Sequence, residues 1–161
     1  MIDTNRRTVL ALGALLAAVP ATGFAKPAKP PVVLFICEFG TAKSAIAREL
    51  FRKRAHERGI QVTAFSRGLK AIEDHVSPQL KQSLTAEGID SGRDGFAVLA
   101  PRDLRRADVI VTFVSIPEGL HWRELHDWTG VPSVNDAWPT ARADLDRRIN
   151  ALLDMLVAER R

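Results

Sequence analysis

The only cysteine of this sequence, Cys37, begins a short loop whose residue types suit chemistry on an anion. The loop reads CEFGTAKS, so five residues separate Cys37 from Lys43, and Ser44 follows directly. A lone cysteine is either a small buried apolar residue or a reactive thiolate, and its neighbours must decide between the two. The Lys43 ammonium would favour both a thiolate and a bound anion. The Ser44 hydroxyl could donate a hydrogen bond to the sulfur or cap a helix.

The elements on either side of this loop are predicted to be a strand and a helix. The run PVVLFIC before it is short, β-branched and apolar, as in a fully buried strand. From Ser44, apolar residues recur at helical spacing until Gly59, the expected end of the helix. A helix start offers unpaired backbone N–H groups and the positive end of the helix dipole, which together form an oxyanion site. The Glu38 carboxylate is expected to point away from that site. The predicted anion-binding loop consists of Glu38, Phe39, Gly40, Thr41, Ala42 and Lys43.

Strand and helix patterns alternate along the rest of the chain. This alternation predicts an α/β fold, a three-layer αβα sandwich with a four-stranded parallel sheet. Ligands of such sheets bind beyond the carboxyl ends of the strands, where Cys37 and Asp136 would meet. The later predicted strands span 61–68, 108–114 and 131–136, and the later helices begin at Pro78, at Pro101 and before Leu145.

The loop and its surroundings resemble one known family. VLFIC-x5-K-S followed by AIARELFRK is similar to the low-molecular-weight protein tyrosine phosphatases and to the arsenate reductases that share their fold. The resemblance implies that Cys37 is the nucleophile and that residues 38–43 hold the anion. It also implies that Ser44 supports the thiolate and that Asp136 protonates the leaving oxygen. Further along the chain, the resemblance continues through SRG, EGID, LAPRDLRRADVIVTF and NDAWP.

The chain departs from that family's signature, Cys-x5-Arg-Ser/Thr, at three places. Lys43 replaces the arginine, and a lysine offers one point charge where an arginine grips two oxygens with a planar fork. Phe39 and Gly40 stand where the family has glycine and asparagine. Ala137 follows Asp136, where the family usually has proline. The lysine in particular predicts weaker stabilisation of a transition state.

Three functions are consistent with this loop. The first is a phosphate-monoester hydrolase of the protein tyrosine phosphatase type, acting through a phosphocysteine at Cys37 and weakened by Lys43. The second is a non-catalytic module that binds an oxyanion or a phosphopeptide. The third is an arsenate reductase, which would need an external thiol because the chain has no second cysteine. The expected partner is a phosphorylated small molecule, a phosphopeptide or another oxyanion, and no cofactor is predicted.

Histidine and tryptophan residues are secondary candidates. His121 and His126 lie five residues apart, which does not place them on one helical face, so no metal site is predicted. His75 is interpreted as an ordinary surface residue. The aromatic residues that could line the site or belong to the core are Trp122, Trp128 and Trp138.

The N-terminal segment, residues 1–25, is predicted to be a bacterial export signal. Arg6 and Arg7 precede an apolar run that ends in small residues, which favours the twin-arginine route with cleavage after Ala25. Pro20 interrupts the run, which is shorter than the roughly 20 residues of a spanning helix, so no stable membrane anchor is expected. We therefore expect a periplasmic or otherwise exported protein.

The remaining chain is predicted to comprise a Pro-rich tether, residues 26–31, and one α/β domain, residues 32–161. The formal net charge of the whole sequence is +4, which is mildly basic. No lysine-rich tract or aromatic stacking pattern accompanies that charge, so no nucleic-acid partner is predicted. The sequence makes no prediction about the oligomeric state.

Overall fold

A computed structural model describes residues 29–70 and 74–159 of the chain. The predicted export signal, residues 1–25, lies outside the described residues, as do residues 26–28 of the predicted tether. None of the described helices is long and apolar enough to cross a membrane. The elements are β1 (Val32–Cys37), α1 (Lys43–Glu57), β2 (Thr63–Gly68), α2 (Pro78–Ala86), α3 (Pro101–Arg106), β3 (Val109–Thr112), β4 (Leu125–Asp127) and α4 (Trp138–Ala158).

The four strands form one parallel sheet in the order β2-β1-β3-β4, which confirms the predicted fold class. All six residues of β1 are buried, because the strand lies between two neighbours and helices cover the sheet. The chain runs from β1 outward to β2, then returns past β1 to β3 and β4. The point where the order reverses lies between β1 and β3, and such points are where ligands of α/β sheets bind.

Alternating side chains of β1 divide the core into two layers. Phe35 and Cys37 belong to the larger layer, which also contains the buried faces of α1, α2 and α4. Leu34 and Ile36 point to the opposite face, where they pack with Leu104 of α3. The period-two pattern therefore determines that the sulfur lies on the side of the sheet that α1 covers.

The fourth strand lies earlier in the chain than predicted. It is β4, whose first and last residues are exposed and whose sequence, LHD, lacks the apolar run that predicts the other strands. The segment 131–136, predicted to be this strand, forms no strand and contains a turn instead. Val131 and Val134 are buried in the core, but their spacing of three is not that of a strand, and Pro132 between them has no N–H for a ladder. Asp136 therefore lies in the loop that leads into α4, not at the end of a strand.

The predicted helix starts are largely confirmed, with one difference at α1. Ser77 caps α2 by accepting a hydrogen bond from the Leu80 amide at 3.2 Å, and a proline follows at the first helical position. At α1 the N-cap position is Ala42, which contributes no side-chain cap. Ser44 therefore lies inside the first turn of α1, where its hydroxyl is free for another partner.

Candidate active site

The sulfur of Cys37 has two hydrogen-bonding neighbours at the entry to α1. The Gly40 amide donates to Sγ at 3.1 Å, and the Ser44 hydroxyl lies 3.0 Å from it. Both cysteine and serine are buried. Hydrogen bonds to the charged form and a helix N-terminus both favour a thiolate over a thiol. The structure therefore brings together the predicted nucleophile and its predicted supporting hydroxyl.

The loop after Cys37 is held by the segment that follows β2. The Cys37 carbonyl accepts from the Leu69 amide at 3.1 Å, and the Glu38 carbonyl accepts from the Lys70 amide at 2.9 Å. These two bonds satisfy the carbonyl groups at the start of the loop. The first intrahelical bond of α1 runs from the Ile46 amide to a carbonyl four residues earlier. The amides of the preceding turn have no such partner within the helix, which suits an anion.

A cavity of about 200 Å³ opens above the sulfur. It lies at the carboxyl ends of β1 and β3, the point where the strand order reverses. The loop residues of the lining were predicted from the sequence, but three others were not. The lining consists of Cys37, Glu38, Phe39, Thr41, Ala42, Lys43, His75, Phe113 and Val114.

The three unpredicted lining residues are His75, Phe113 and Val114. Phe113 and Val114 directly follow β3, so their place at a strand's carboxyl end was an available signal. His75 had no such signal, because it lies in a loop that only the fold brings to the anion-binding loop. Its ring lies 4.0 Å from that of Phe39, centroid to centroid, and its amide donates to Thr41 Oγ1 at 3.3 Å. His75 is exposed, as interpreted from the sequence, but it also lines the cavity, which the sequence did not indicate.

The aromatic lining of the cavity does not come from tryptophan. Trp128 is buried in the core, edge-on to Phe35 and Phe113. Trp138 donates its indole N–H to Glu87 at 3.1 Å, and Trp122 is partly exposed. Among the described residues, the rings that line the cavity are Phe39, His75 and Phe113.

Lys43 lines the cavity, but its ammonium has a protein partner. Its Nζ donates to the carbonyl oxygen of Val131 at 2.6 Å. Burial lowers the pKa of Lys43 below its ordinary value of 10.5, and the nearby charge of Cys37 opposes that shift. The lysine thus lies close enough to the sulfur to influence it electrostatically. Its hydrogen bond, however, joins α1 to the loop before α4.

The Glu38 carboxylate is paired with a cation at the cavity rim. It forms an ion pair with Lys70, and both side chains are about half exposed. The Lys70 ammonium also lies 5.7 Å from the centre of the Phe39 ring. As expected, Glu38 is thereby drawn toward the segment after β2 and away from the helix start.

Asp136, the predicted acid, is not among the described residues that line the cavity. Its carboxylate is exposed and accepts a hydrogen bond from the Ser133 hydroxyl at 2.6 Å. The preceding residue, Asn135, donates to the carbonyl of His75 at 2.6 Å and accepts from the Ser77 amide at 2.9 Å. The loop that carries Asp136 is thus tied to the cavity rim through its neighbour.

A buried arginine of α1 was not predicted. Arg48 of α1 is only 1% exposed. Its guanidinium donates to Glu49 at 2.9 Å, to the Ser66 hydroxyl at 2.9 Å and to the Ser91 carbonyl at 2.8 Å. It therefore ties α1 to β2 and to the segment after α2. The sequence alone did not distinguish Arg48 from the solvent-exposed charged residues around it.

The described residues include no group of three or more histidine, cysteine or acidic side chains that could hold a metal ion. His126, considered above with His121, instead lies 2.6 Å from the Glu124 carboxylate, nitrogen to oxygen.

Comparisons with known proteins address the fold and the family. No curated protein matches the chain. Among solved structures, YfkJ from Bacillus subtilis is similar with a TM-score of 0.67 and 17% identity, over 84% of this chain and 100% of that one. The low molecular weight protein tyrosine phosphatase from T. tengcongensis has a TM-score of 0.63 and 23% identity, over 78% and 99%. The thioredoxin-dependent arsenate reductase Cg_ArsC1′ from Corynebacterium glutamicum has a TM-score of 0.57 and 23% identity, over 83% and 65%.

At these identities the solved structures establish a shared fold. The family model described as low molecular weight phosphotyrosine protein phosphatase matches residues 32–120, more than half of the chain. That match includes the whole of the Cys37 loop and ends before Asp136. This chain therefore belongs to the low molecular weight phosphotyrosine protein phosphatase family, whose members are hydrolase-like enzymes.

Proposed function

We propose that this protein is a cysteine-dependent hydrolase of phosphate monoesters. The observation that carries this proposal is the position of Cys37 Sγ, 3.1 Å from the Gly40 amide and 3.0 Å from the Ser44 hydroxyl, at the start of α1. This arrangement favours a thiolate directly beneath a group of backbone amides. Similar folds include a tyrosine phosphatase and an arsenate reductase, which supports an oxyanion as the bound group.

In the first step, the Cys37 thiolate attacks phosphorus. The S–P bond forms as the bond between phosphorus and the leaving oxygen breaks. The Asp136 carboxyl group donates its proton to that oxygen, and the product alcohol or phenol departs. Backbone amides of residues 38–43 stabilise the charge on the other three phosphoryl oxygens, and the Lys43 charge adds to that field.

In the second step, water hydrolyses the phosphocysteine. The Asp136 carboxylate, deprotonated by the first step, accepts a proton from the attacking water. The O–P bond forms, the S–P bond breaks, and inorganic phosphate leaves with the thiolate restored. The Ser44 hydroxyl stabilises the sulfur as a leaving group, because it lies within hydrogen-bond distance of it.

A binding module without turnover is the second candidate function, and two observations favour it. The Lys43 ammonium is engaged by Val131, and the Asp136 carboxylate lies outside the cavity lining. In that case the loop would hold phosphate, a phosphopeptide or another oxyanion, and hydrolysis would be negligible.

Hydrolysis of p-nitrophenyl phosphate separates the two candidates. We expect the purified protein to turn over this substrate, Cys37→Ser to abolish turnover, and Asp136→Ala to reduce kcat by about 100-fold or more. Lys43→Arg should raise kcat, because a guanidinium can keep the contact with the Val131 carbonyl and still offer further donors to the phosphoryl oxygens. Absence of Cys37-dependent turnover, with retained binding of inorganic phosphate by calorimetry, would overturn the hydrolase and support the binding module.

Arsenate reduction is tested with the same protein. Because Cys37 is the only cysteine, reduction of arsenate would require an added thiol such as glutathione or thioredoxin. We expect no thiol-dependent consumption of arsenate. Cys37-dependent reduction with either thiol would assign the site to arsenate instead.

We also propose that the protein is exported. The support is the paired Arg6 and Arg7 ahead of an apolar run that ends in small residues. Replacing both arginines by lysine should retain the protein in the cytoplasm of a bacterial host. An unchanged distribution between periplasm and cytoplasm would argue against the twin-arginine route.

A further inference from the structure

The hydrogen bond between Lys43 and Val131 joins two parts of the site that lie 88 residues apart in the chain. Lys43 is the first residue of α1, six positions after the nucleophile. Val131 begins the segment 131–136, which ends at Asp136. The donor–acceptor distance of 2.6 Å is short for an N–H···O bond, as is typical of a charged donor.

The surroundings of Val131 favour the retention of its hydrogen bond with Lys43. The residue is buried, and its amide donates to the Trp128 carbonyl at 3.0 Å, so the turn before it is already ordered. Its carbonyl oxygen accepts the Lys43 ammonium. If Lys43 swung toward an anion, this carbonyl would lose that partner in a mostly apolar setting, which disfavours the movement.

A second anchor holds the other end of the same segment. Asn135 is bound on one side to the His75 carbonyl and on the other to the Ser77 amide. The segment 131–136 is thus fastened to the cavity rim at both ends, by Lys43 at its start and by Asn135 directly before the acid. Removal of either anchor leaves the other in place.

We propose that Lys43 is a positioning residue, which holds the 131–136 segment and therefore Asp136 against the cavity, while backbone amides bind the oxyanion. The inference rests on the proposed function only in assigning Asp136 as the general acid. It explains how a lysine serves at this position, because a single ammonium group suits one carbonyl oxygen better than two phosphoryl oxygens. It also predicts that Lys43 and Asp136 act as one unit.

The first test compares substrates whose leaving groups differ. p-Nitrophenolate leaves readily without a proton, whereas phenolate from phenyl phosphate depends on the general acid. We expect Lys43→Met to reduce kcat for phenyl phosphate at least about tenfold more than for p-nitrophenyl phosphate, with the same pattern in Asp136→Ala. The double variant should be no more than about threefold worse than Asp136→Ala, because the two residues act together.

The opposite result has a distinct signature. If Lys43 binds the oxyanion directly, Lys43→Met lowers kcat equally for both substrates and adds its effect to that of Asp136→Ala. Either outcome would overturn the positioning role. Lys43→Arg, which keeps a charged donor within reach of Val131, should retain the wild-type ratio between the two substrates.

The second test does not require turnover. The backbone amides of residue 131 and of residues 133–136 should exchange with deuterium about tenfold faster in Lys43→Met, and also in Asn135→Ala, because each change removes one anchor. Lys53→Met is the matched control, since Lys53 lies on the same helix but binds the Glu87 carbonyl on the exposed side. Unchanged exchange in Lys43→Met would overturn the inference. Faster exchange in a protein without Cys37-dependent turnover would retain the anchor and reject only the hydrolase.

Discussion

A side chain on Gly40 would collide with the backbone of Gly68, because a Cβ atom there would lie 2.7 Å from the Gly68 amide nitrogen. The reverse also holds, since a Cβ on Gly68 would lie 2.5 Å from the carbonyl carbon of Phe39. The anion-binding loop is thus packed backbone to backbone on the end of β2. Gly40 additionally has a φ of +76°, which favours glycine. This contact defines the position of the amide that donates to the Cys37 sulfur.

The contact predicts that Gly68→Ala damages the loop specifically. The methyl group would displace the backbone at Phe39, and a displacement of about 1 Å at a catalytic centre can lower kcat by about 100-fold. The overall loss of stability should be about 1–3 kcal/mol, as for other overpacked sites. Steady-state kinetics and urea unfolding measure the two effects.

Gly59→Ala is the control for this prediction. Gly59 also has a positive φ, +66°, but no atom lies within 4 Å of a Cβ placed there. We expect a stability loss of about 1 kcal/mol from backbone strain and an unchanged kcat. Equal losses of kcat in the two variants would show that the effect arises from general destabilisation and not from the loop contact.

Ser44→Ala should slow catalysis because it removes the hydroxyl that neighbours the Cys37 sulfur. A hydrogen bond to a charged group contributes about 1.5–3 kcal/mol, so its loss predicts a fall in kcat of about 10- to 100-fold. Alkylation of Cys37 by iodoacetamide should be slower at a fixed pH, because the sulfur loses a hydrogen-bonding neighbour at 3.0 Å. Ser83→Ala, at a serine of α2 that binds only the Gln79 carbonyl in the described structure, should change neither quantity.

Arg48→Met should destabilise the fold more than replacement of a surface arginine. It removes the buried cation that joins Glu49, Ser66 and the Ser91 carbonyl, and breaking a buried ion pair typically costs about 3–5 kcal/mol. Because Arg52 also pairs with Glu49, we expect about 3 kcal/mol, near the lower limit of that range. Urea denaturation of the purified variant measures the change.

Arg54→Met, on the same helix, is the matched comparison. Arg54 is partly exposed and pairs with Glu57 and Asp146. Exposed pairs contribute about 0–1 kcal/mol, so its replacement should have little effect. A loss for Arg48→Met no larger than that for Arg54→Met would contradict the assigned role of the buried network.

The lowered pKa of Lys43 predicts how stability changes at alkaline pH. Between its folded pKa and the ordinary value of 10.5, the unfolded chain binds more protons at this residue than the folded chain. The free energy of unfolding contributed by Lys43 therefore rises with pH across that window and is constant on either side. The difference between wild type and Lys43→Met should become more favourable to wild type as the pH approaches 10.5. A pH-independent difference in urea unfolding would contradict the shift.

The strand, loop and helix around Cys37 could be predicted from the sequence, because their signals are local. The apolar run of β1 ends at Cys37, glycine permits the turn at Gly40, and helical periodicity resumes at Ser44. Hydrophobic burial and backbone stereochemistry act within a few residues, so these elements are encoded where they occur. The alternation of such elements also indicated the parallel sheet, although the polar strand β4 carried no signal.

The partners of the charged groups were decided only by the tertiary structure. The sequence determined that a lysine ends the anion-binding loop, but not that its ammonium binds the Val131 carbonyl. The sequence did not reveal that His75 contacts Phe39. It predicted Asp136 as the acid, but not that this residue lies outside the cavity lining. Each of these relationships depends on how separate elements pack. Long side chains reach whichever distant donor or acceptor the fold brings within about 3 Å, and no local periodicity encodes that choice.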